Sequence, residues 1–327
     1  MKKTNVSVIG ASGYAGGELI RLLVHHPDIE LVSAVSSSKA GMQLTKVFPD
    51  LLGETDLSFS DVSDPTAEII FLCLQHGAAS AYLNKHPELL SKKIIDLSRD
   101  FRLAAHDAAK VSPFVYGLPE LNKAQICNSK YVANPGCFAT GIQLGLLPLA
   151  KHQLLKGDIH VNAITGSTGA GIKATATTHF SWRQNNISVY NAFAHPHNAE
   201  ILESIRMLQP AFGDGFLFVP QRGSFTRGIF ATMIIQTEKT ERELLELYEN
   251  YYQEQPFTHL QENDIDLKMV VNTNKCFINI KKSGRHLLIT TVIDNLLKGA
   301  AGQAVQNMNL MSGFAEQSGL TLKANVF

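Results

Sequence analysis

The first half of the chain alternates short apolar runs with segments whose apolar residues are spaced as on one helix face. The runs predict strands over 6–9, 29–35, 69–74 and 94–97, and the helical spacing predicts helices over 14–26 and 78–90. The run at 69–74 is wholly apolar, as in a strand covered on both faces. We therefore predict an α/β unit of the Rossmann type with a mostly parallel sheet.

The second half has a different pattern. Apolar runs predict strands over 159–164, 216–219, 229–236, 268–271, 277–280 and 287–293, whereas only 199–208 and 242–253 are spaced as helices between them. This favours an α+β unit with a mixed, mainly antiparallel sheet. The last segment, 295–312, is helical in composition and rich in small and amide side chains.

Composition narrows the class of protein. The chain has 327 residues, with 29 Lys and Arg against 29 Asp and Glu, so its formal net charge is zero. This length suggests two domains. Zero net charge gives no general attraction to phosphate backbones or anionic lipid, so we expect no nucleic-acid partner. No stretch reaches the ~18 apolar residues of a membrane span, and no signal-peptide core follows Met1, so we expect a cytoplasmic protein without a membrane contact.

A glycine-rich segment at 10–16 joins the first predicted strand to the first helix. Glycines at its first and second positions would allow a tight turn and a close ligand, while free N–H groups at the helix start would face a pyrophosphate. The alternative is a strand-to-helix turn that binds nothing. The candidate cofactor contacts here are Gly10, Ser12, Gly13, Tyr14, Ala15 and Gly16.

The end of the second predicted strand indicates which cofactor is bound. An NAD site usually has a carboxylate there for the ribose 2′-hydroxyl. This chain has Ser36, Ser37, Ser38 and Lys39 instead, and three hydroxyls with a cation suit a 2′-phosphate. We therefore predict NADP(H), with Ser36, Ser38 and Lys39 as contacts; the alternative is a solvated polar loop.

Cys137 is the cysteine with a reactive setting. The four cysteines are irregularly spaced with no CxxC pair, which argues against a disulfide framework or a zinc ribbon. The turn at 134–136 follows a predicted strand over 131–133 and places Cys137 at a helix start, where the dipole favours a thiolate. Cys73, inside an apolar run, fits a small buried hydrophobe instead. A nucleophilic cysteine with a nicotinamide cofactor points to acyl-phosphate or aldehyde chemistry through a thioester.

Several motifs together identify a family. The chain resembles the N-acetyl-gamma-glutamyl-phosphate reductases, NADP-dependent enzymes of arginine biosynthesis, from residue 6 to about residue 313. The matching segments are 10–16, 96–103, 116–120, 134–140, 166–171, 195–200 and 294–304. The resemblance implies a Rossmann-type domain over 1–137, a catalytic and oligomerisation domain over 138–294, and a C-terminal helical segment over 295–327 that returns to the first domain. It also implies an acyl-phosphate substrate and a homo-oligomer, either a dimer or a tetramer.

The resemblance implies roles for the reacting residues. Cys137 is the nucleophile, and either His197 or His195 transfers the proton; the family match favours His197 for the proton and His195 for a substrate contact. Glu200 orients an imidazole or receives a substrate amine or amide, although it could equally be a solvated charge at a helix start. The pair is also a metal-ligand spacing, but no carboxylate or histidine cluster accompanies it, so we expect no metal.

Further candidate contacts follow from the same motifs. Arg102 is the candidate phosphate clamp, because a guanidinium fork matches two phosphate oxygens, and Arg99 could share the role. The alternative is an Arg–Asp pair such as Arg99 with Asp96. The resemblance places a second glycine loop, with Ser167, Gly169 and Gly171, near the nicotinamide together with Asn295. Lys298 and Arg222 are weaker candidates for anion contacts.

Other functions stay open at this point. An aspartate-semialdehyde dehydrogenase shares the fold, the cysteine chemistry and an acyl-phosphate substrate, although the segments 195–197 and 96–103 favour the glutamyl-phosphate enzyme. The same motifs could also serve an N-succinyl substrate. An NADP-binding sensor without turnover is a third alternative, but it has no need of a cysteine at a helix start.

Overall fold

The computed structural model describes residues 2–104, 113–213 and 215–326, which form two compact units. The first unit comprises Met1–Pro135 and Ala300–Thr321, and the second comprises Gly136–Gly299 and Leu322–Phe327. Neither unit is a single stretch of sequence. The domain limits derived above from the sequence stay predictions beside this division.

The secondary structure follows the chain in this order. The strands of the described residues are β1 (Thr4–Ile9), β2 (Ile29–Val35), β3 (Phe59–Ser60), β4 (Ile69–Leu72), β5 (Lys93–Asp96), β6 (Val115–Tyr116), β7 (Tyr131–Ala133), β8 (Ile159–Thr165), β9 (Ser188–Val189), β10 (Phe216–Arg222), β11 (Ile229–Gln236), β12 (Thr258–Leu260), β13 (Cys276–Ser283) and β14 (His286–Ile293). The α-helices are α1 (Tyr14–Val24), α2 (Leu44–Val47), α3 (Ala79–Lys85), α4 (Pro119–Cys127), α5 (Cys137–Lys151), α6 (Phe180–Arg183), α7 (His197–Leu208), α8 (Glu241–Tyr252) and α9 (Ala301–Ser312).

The first unit contains a seven-stranded sheet in the order β3-β2-β1-β4-β5-β7-β6, and every pairing in it is parallel. All four residues of β4 are buried, because a strand in the middle of a covered parallel sheet is apolar on both faces. The Rossmann-type fold predicted from the sequence is confirmed. The residues that end β1, β2 and β5 therefore lie at one edge of the sheet, where such folds bind ligands.

Helix α9 belongs to the first unit although it lies near the C-terminus. It packs against α1 and α4, and its residues from Ala301 to Met311 are buried. Its amide side chains are paired: Asn309 Oδ1 lies 3.0 Å from His26 Nε2, and Asn307 donates to the Gly117 carbonyl at 2.8 Å. The amides in this otherwise apolar helix thus satisfy buried polar groups of the unit.

The second unit contains a mixed seven-stranded sheet in the order β12-β13-β14-β11-β8-β10-β9. Its four central strands, β13, β14, β11 and β8, pair antiparallel, while β10 runs parallel to β8. Helix α5 packs on β11, β13 and β14, and its residues from Phe138 to Ala150 are buried. This confirms the predicted mixed, mainly antiparallel sheet.

Three sequence-based predictions of local structure were wrong. The strand predicted over 268–271 is a 3₁₀ turn, Leu267–Met269, because the Asp266 carboxylate accepts the Lys268 N–H and starts a turn. The helix predicted over 295–312 begins only at Ala301. The helix predicted over 78–90 ends at Lys85, and Pro87 begins a separate 3₁₀ turn. No helix in the described ranges has the length and apolarity that a membrane crossing requires.

Candidate active site

Cys137 is the first residue of helix α5 in the second unit. Gly136 precedes it in an extended conformation, and the Gly136 N–H donates to Glu200 Oε2 at 3.0 Å. The Gly136 carbonyl accepts from the Thr140 hydroxyl at 3.1 Å. Cys137 is half-buried, whereas the residues that follow it in α5, from Phe138 to Ala150, are buried. The sulfur therefore sits at the positive end of a helix whose start is fixed on both sides.

A glycine packs directly against the nucleophile candidate. A Cβ placed on Gly299 would lie 2.8 Å from Cys137 Cβ and 2.6 Å from the Asn295 carbonyl oxygen. The Gly299 N–H donates to the Asp294 carbonyl at 2.9 Å, which holds this turn in place. Asp294 itself is fully buried and pairs with Arg227 at 3.0 Å. The segment 294–299 thus requires glycine where it meets the cysteine.

The two histidines flank the start of helix α7 and contact each other. Their ring centroids lie 4.5 Å apart, and the backbone N–H of His197 donates to His195 Nδ1 at 3.2 Å. Phe138, the residue after Cys137, contacts both rings edge-on, with centroids 5.4 Å from His195 and 6.2 Å from His197. The structure therefore brings the predicted cysteine and both predicted histidines into one cluster.

The two imidazoles have different surroundings. Burial lowers the pKa of His195 to about 4; the Glu200 charge opposes this shift and the Arg222 charge adds to it. His195 is thus neutral near pH 7. His197 Nε2 lies 4.0 Å from Glu200 Oε1, and the Glu200 side chain is only 4% exposed. Of the two rings, His197 is therefore the one with a buried carboxylate at ion-pair distance.

Tyr190 and Arg222 join this cluster, although no local sequence pattern predicts that either lies beside the histidines. The Tyr190 and His195 ring centroids lie 5.8 Å apart, and the Arg222 guanidinium lies 4.6 Å from the centre of the Tyr190 ring. Burial, with the Cys137 charge, raises the pKa of Tyr190 to about 12. Arg222 was a weaker candidate for an anion contact in the sequence, whereas Tyr190, five positions before the histidine pair, belongs to no sequence motif.

Arg99 and Arg102 lie in the first unit. Arg102 is buried and donates to the Leu97 carbonyl at 2.9 Å, whereas Arg99 is exposed. Burial raises the pKa of Asp96 to about 7, against bonds from Ser98 and the Arg102 charge that lower it. Asp96 accepts the Ser98 hydroxyl at 2.7 Å, so the structure does not show Arg99 as its partner.

The glycine loop of the first unit has the geometry of a ligand cradle. Gly10 has φ +80, and a Cβ there would collide with the Cys73 carbonyl. A Cβ on Gly16 would lie 2.7 Å from Ala11 Cα, so this glycine lets α1 pack closely on the loop. A Cβ on Gly13 would meet only the Gly10 carbonyl oxygen, at 3.8 Å. Protein packing therefore explains two of these glycines, and a ligand close to the backbone explains Gly13.

Hydroxyl groups gather where β2 ends beside this loop. Ser12 Oγ lies 2.9 Å from Ser36 Oγ, and Ser36 Oγ lies 3.5 Å from Ser38 Oγ. Lys39 is partly exposed at the same strand end. The first turn of α1, which Tyr14 and Ala15 begin, contains no acidic residue. These groups fit an anionic dinucleotide with a 2′-phosphate.

The second glycine loop is a 3₁₀ turn, Ser167–Ala170, followed by Gly171 with φ +80. Asn295 holds it: its side chain donates to the Thr168 hydroxyl at 3.0 Å and accepts the Gly228 N–H at 2.7 Å. Gly169 lies inside the turn, and its N–H donates to the Gly166 carbonyl. Asn295 thus binds the loop in this structure. In the described part of the chain, no group of three or more His, Cys, Asp or Glu side chains is arranged to hold a metal ion.

Comparison with known proteins agrees with this architecture. Residues 5–129 match the semialdehyde dehydrogenase NAD-binding domain, and residues 137–295 match the semialdehyde dehydrogenase dimerisation domain. Among solved structures, aspartate semialdehyde dehydrogenase II from Vibrio cholerae superposes with a TM-score of 0.75 at 16% identity, over 96% of this chain and 99% of that one. The enzyme from Candida albicans, solved with NADP, gives 0.69 at 13% identity, over 95% and 99% of the two chains. At such identities these structures share the fold.

Relatives of higher identity cover nearly the whole chain. The N-acetyl-gamma-glutamyl-phosphate reductase of Phocaeicola vulgatus is 53% identical over 98% of both chains. That of Flavobacterium johnsoniae is 49% identical over 99% of both chains. With its nucleophile cluster and its glycine cradle, the chain belongs to the N-acetyl-gamma-glutamyl-phosphate reductase family.

Proposed function

We propose that this chain reduces N-acetyl-gamma-glutamyl phosphate to N-acetylglutamate 5-semialdehyde and phosphate, with NADPH as reductant, in arginine biosynthesis. The observation that carries the proposal is Cys137, which starts a buried helix beside two histidines of unlike surroundings. The relatives at 53% identity carry the name of this reaction. A sensor without turnover has no use for such a cluster.

The first chemical step takes place at the Cys137 sulfur. The thiolate attacks the acyl carbon of the acyl phosphate, the bond to the phosphate oxygen breaks, and inorganic phosphate leaves a thioester on Cys137. The helix dipole stabilises the thiolate before this step. Arg102 and Arg99 are the proposed phosphate contacts. The Arg102 side chain is held by its hydrogen bond to the Leu97 carbonyl.

The second step is the reduction of the thioester. The nicotinamide supplies the hydride when NADPH is bound. His197, with Glu200 at 4.0 Å, protonates the oxygen anion of the thiohemiacetal and takes the same proton back when the C–S bond breaks, so that the neutral aldehyde leaves and the Cys137 thiolate is restored. His195, neutral near pH 7, accepts the backbone N–H of His197 at Nδ1 and is the proposed substrate contact.

The proposed cofactor contacts are residues of the chain's glycine-rich segments and of the end of strand β2. In the first unit these are Gly10, Ser12, Gly13, Tyr14, Ala15 and Gly16 with Ser36, Ser38 and Lys39. Ser167, Gly169 and Gly171 in the second unit form the other contact, and Asn295 keeps their loop in shape. The Ser12–Ser36 hydroxyl pair at 2.9 Å supports a preference for NADPH over NADH.

The test runs the reaction backwards. N-acetylglutamate 5-semialdehyde, NADP⁺ and phosphate should give NADPH, followed by absorbance, while Cys137→Ser should give none. Aspartate semialdehyde serves as the competing substrate. Faster turnover of aspartate semialdehyde, or better efficiency with NAD⁺ than with NADP⁺, would contradict the assignment of substrate or cofactor.

We also propose a homo-oligomer that works in the cytoplasm. The match of residues 137–295 to a dimerisation domain supports self-association, and the reaction needs a reduced Cys137, as in a reducing compartment. Light scattering on the purified protein should give the mass of a dimer or a tetramer. A monomer at micromolar concentration would contradict this part.

A further inference from the structure

Arg222 ends strand β10 in the second unit and points its charge at the nucleophile cluster. Its guanidinium lies 4.6 Å from the centre of the Tyr190 ring, and that ring lies 5.8 Å from His195. Its charge reaches His195, whose pKa it lowers, while the Cys137 charge raises the pKa of Tyr190. The charges of Arg222 and Cys137 thus both act on the Tyr190 side chain.

A second guanidinium holds Arg222 in place. Arg183 is buried and donates to the Arg222 carbonyl at 2.6 Å and to the Ser188 hydroxyl at 3.1 Å. Ser188 pairs with Arg222 across strands β9 and β10, so the same side chain braces both strands. The Arg222 backbone is therefore fixed from two directions, and the side chain is stacked on an aromatic ring.

This pair of cations has no counter-charge in the described ranges. Neither Arg183 nor Arg222 lies within ion-pair distance of a carboxylate there, although other arginines of the unit, such as Arg227 with Asp294, are paired. Two partly buried guanidinium groups near each other repel, and an anion between or beside them relieves this repulsion. A site that keeps such an arrangement is prepared for an anionic ligand group.

We propose that Arg222, stacked on Tyr190 and braced by Arg183, is a specificity-determining residue that clamps a non-reacting carboxylate of the substrate. The inference rests on the proposed function, since it takes the substrate to be an N-acylglutamate derivative. A planar guanidinium matches two carboxylate oxygens, and the carboxylate must be held while the carbonyl meets Cys137. The carboxylate is either the α-carboxylate or, in an N-succinyl substrate, the end of the acyl group.

Two substrate ratios identify the carboxylate. The first divides kcat/KM for N-acetylglutamate 5-semialdehyde by that for N-acetyl-4-aminobutanal, which lacks the α-carboxylate. The second divides kcat/KM for the N-succinyl semialdehyde by that for the N-acetyl one. Wild type should show a value of about 10- to 100-fold for whichever ratio Arg222 governs. Arg222→Met should reduce that ratio to about one- to threefold, and Arg222→Lys should keep part of it.

Controls separate a clamp from a general defect. Arg242→Met removes an exposed arginine of helix α8 and should leave both ratios unchanged. The KM for phosphate should also stay unchanged in Arg222→Met. Collapse of the first ratio assigns the α-carboxylate, and collapse of the second assigns the acyl carboxylate. Unchanged ratios in folded Arg222→Met, or a rise in the phosphate KM alone, would overturn the proposal.

A measurement on the wild-type protein covers the case in which the variants do not fold. Phenylglyoxal labels arginine side chains, and mass spectrometry gives the extent at Arg222 and Arg242. N-acetylglutamate should protect Arg222 several-fold but not Arg242, and its neutral diamide should protect neither. Equal labelling with and without N-acetylglutamate would overturn the clamp. Absence of turnover on both semialdehydes would instead refute the proposed function, and the labelling result stands apart from it.

Discussion

Helices α1 and α5 begin with the same backbone geometry, but different groups lie at their first turns. Each follows a strand of the first unit's sheet, and each has a glycine in extended conformation as its N-cap, Gly13 with φ −81 and Gly136 with φ −70. In α1 the cap N–H donates to the Gly10 carbonyl at 3.4 Å, and the next residue is Tyr14. In α5 the cap N–H goes to the Glu200 carboxylate, and the next residue is Cys137.

The two helices differ in the anionic group that would lie at the positive end of the helix dipole. After Tyr14, the first turn of α1 continues with Ala15, Gly16 and Gly17, which fits a ligand phosphate at the N–H groups, whereas α5 has the thiol of Cys137 at its first position. The Glu200 carboxylate accepts the Gly136 N–H at the start of α5 and so holds the turn that precedes Cys137. Under the proposed function, one backbone geometry thus serves ligand binding in one unit and nucleophile activation in the other.

Removal of the sulfur from α5 gives the largest expected effect. Cys137→Ser should lower kcat by about a thousandfold or more, because the hydroxyl is not ionised at a helix start as a thiol is. Cys127→Ser, at an exposed position of α4, is the matched control and should keep wild-type rates. Substantial turnover in Cys137→Ser would show that the start of α5 has another role.

Substitutions of Glu200 test whether the start of α5 depends on the Glu200 carboxylate. Glu200→Ala should lower the free energy of unfolding by about 1–3 kcal/mol, because it leaves the buried Gly136 N–H without its acceptor. Glu200→Gln keeps an oxygen for that N–H and should be closer to wild type in denaturant titrations, yet lose activity through His197. Equal stability of the Ala and Gln variants would count against the capping role.

Substitutions of Gly13 and Gly16 test whether a ligand lies against the start of α1. Gly13→Ala meets no close atom, so the melting temperature should stay the same while the KM for NADPH rises about tenfold, since the ligand must retreat from the methyl group. Gly16→Ala should instead lower the melting temperature, because its methyl group would press on the Ala11 backbone. A Gly13→Ala enzyme with an unchanged KM for NADPH would remove the case for a cofactor at this turn.

The smallest effect concerns pH and the histidine next to α5. The pKa of His195 is about 4 in the fold, against 6.5 as the ordinary value. The unfolded chain therefore binds more protons between these values, and the free energy of unfolding should fall as pH drops from 6.5 to 4, on the order of 1 kcal/mol. His195→Asn should flatten this part of the stability profile; the same slope in the variant would assign the effect elsewhere.

The comparison also separates what a sequence can predict from what it cannot. Both helix starts, the parallel sheet and Cys137 follow from local patterns, because glycines, turns and apolar runs act on their immediate neighbours. The partners of Glu200, Tyr190 and Arg222 depend on contacts between distant segments. The wrong strand at 268–271 has the same origin, since an Asp266 side-chain bond overrode the apolar pattern.

The divided sequence of the first unit has a consequence for synthesis on the ribosome. Residues up to Pro135 emerge early, yet helix α9, which covers α1 and α4, is translated almost last. Until then helices α1 and α4 lack the helix that packs against them. The His26 imidazole and the Gly117 carbonyl also lack their hydrogen-bond partners, Asn309 and Asn307. Stop codons shortly before residue 300 should therefore yield aggregating fragments rather than a working cofactor module.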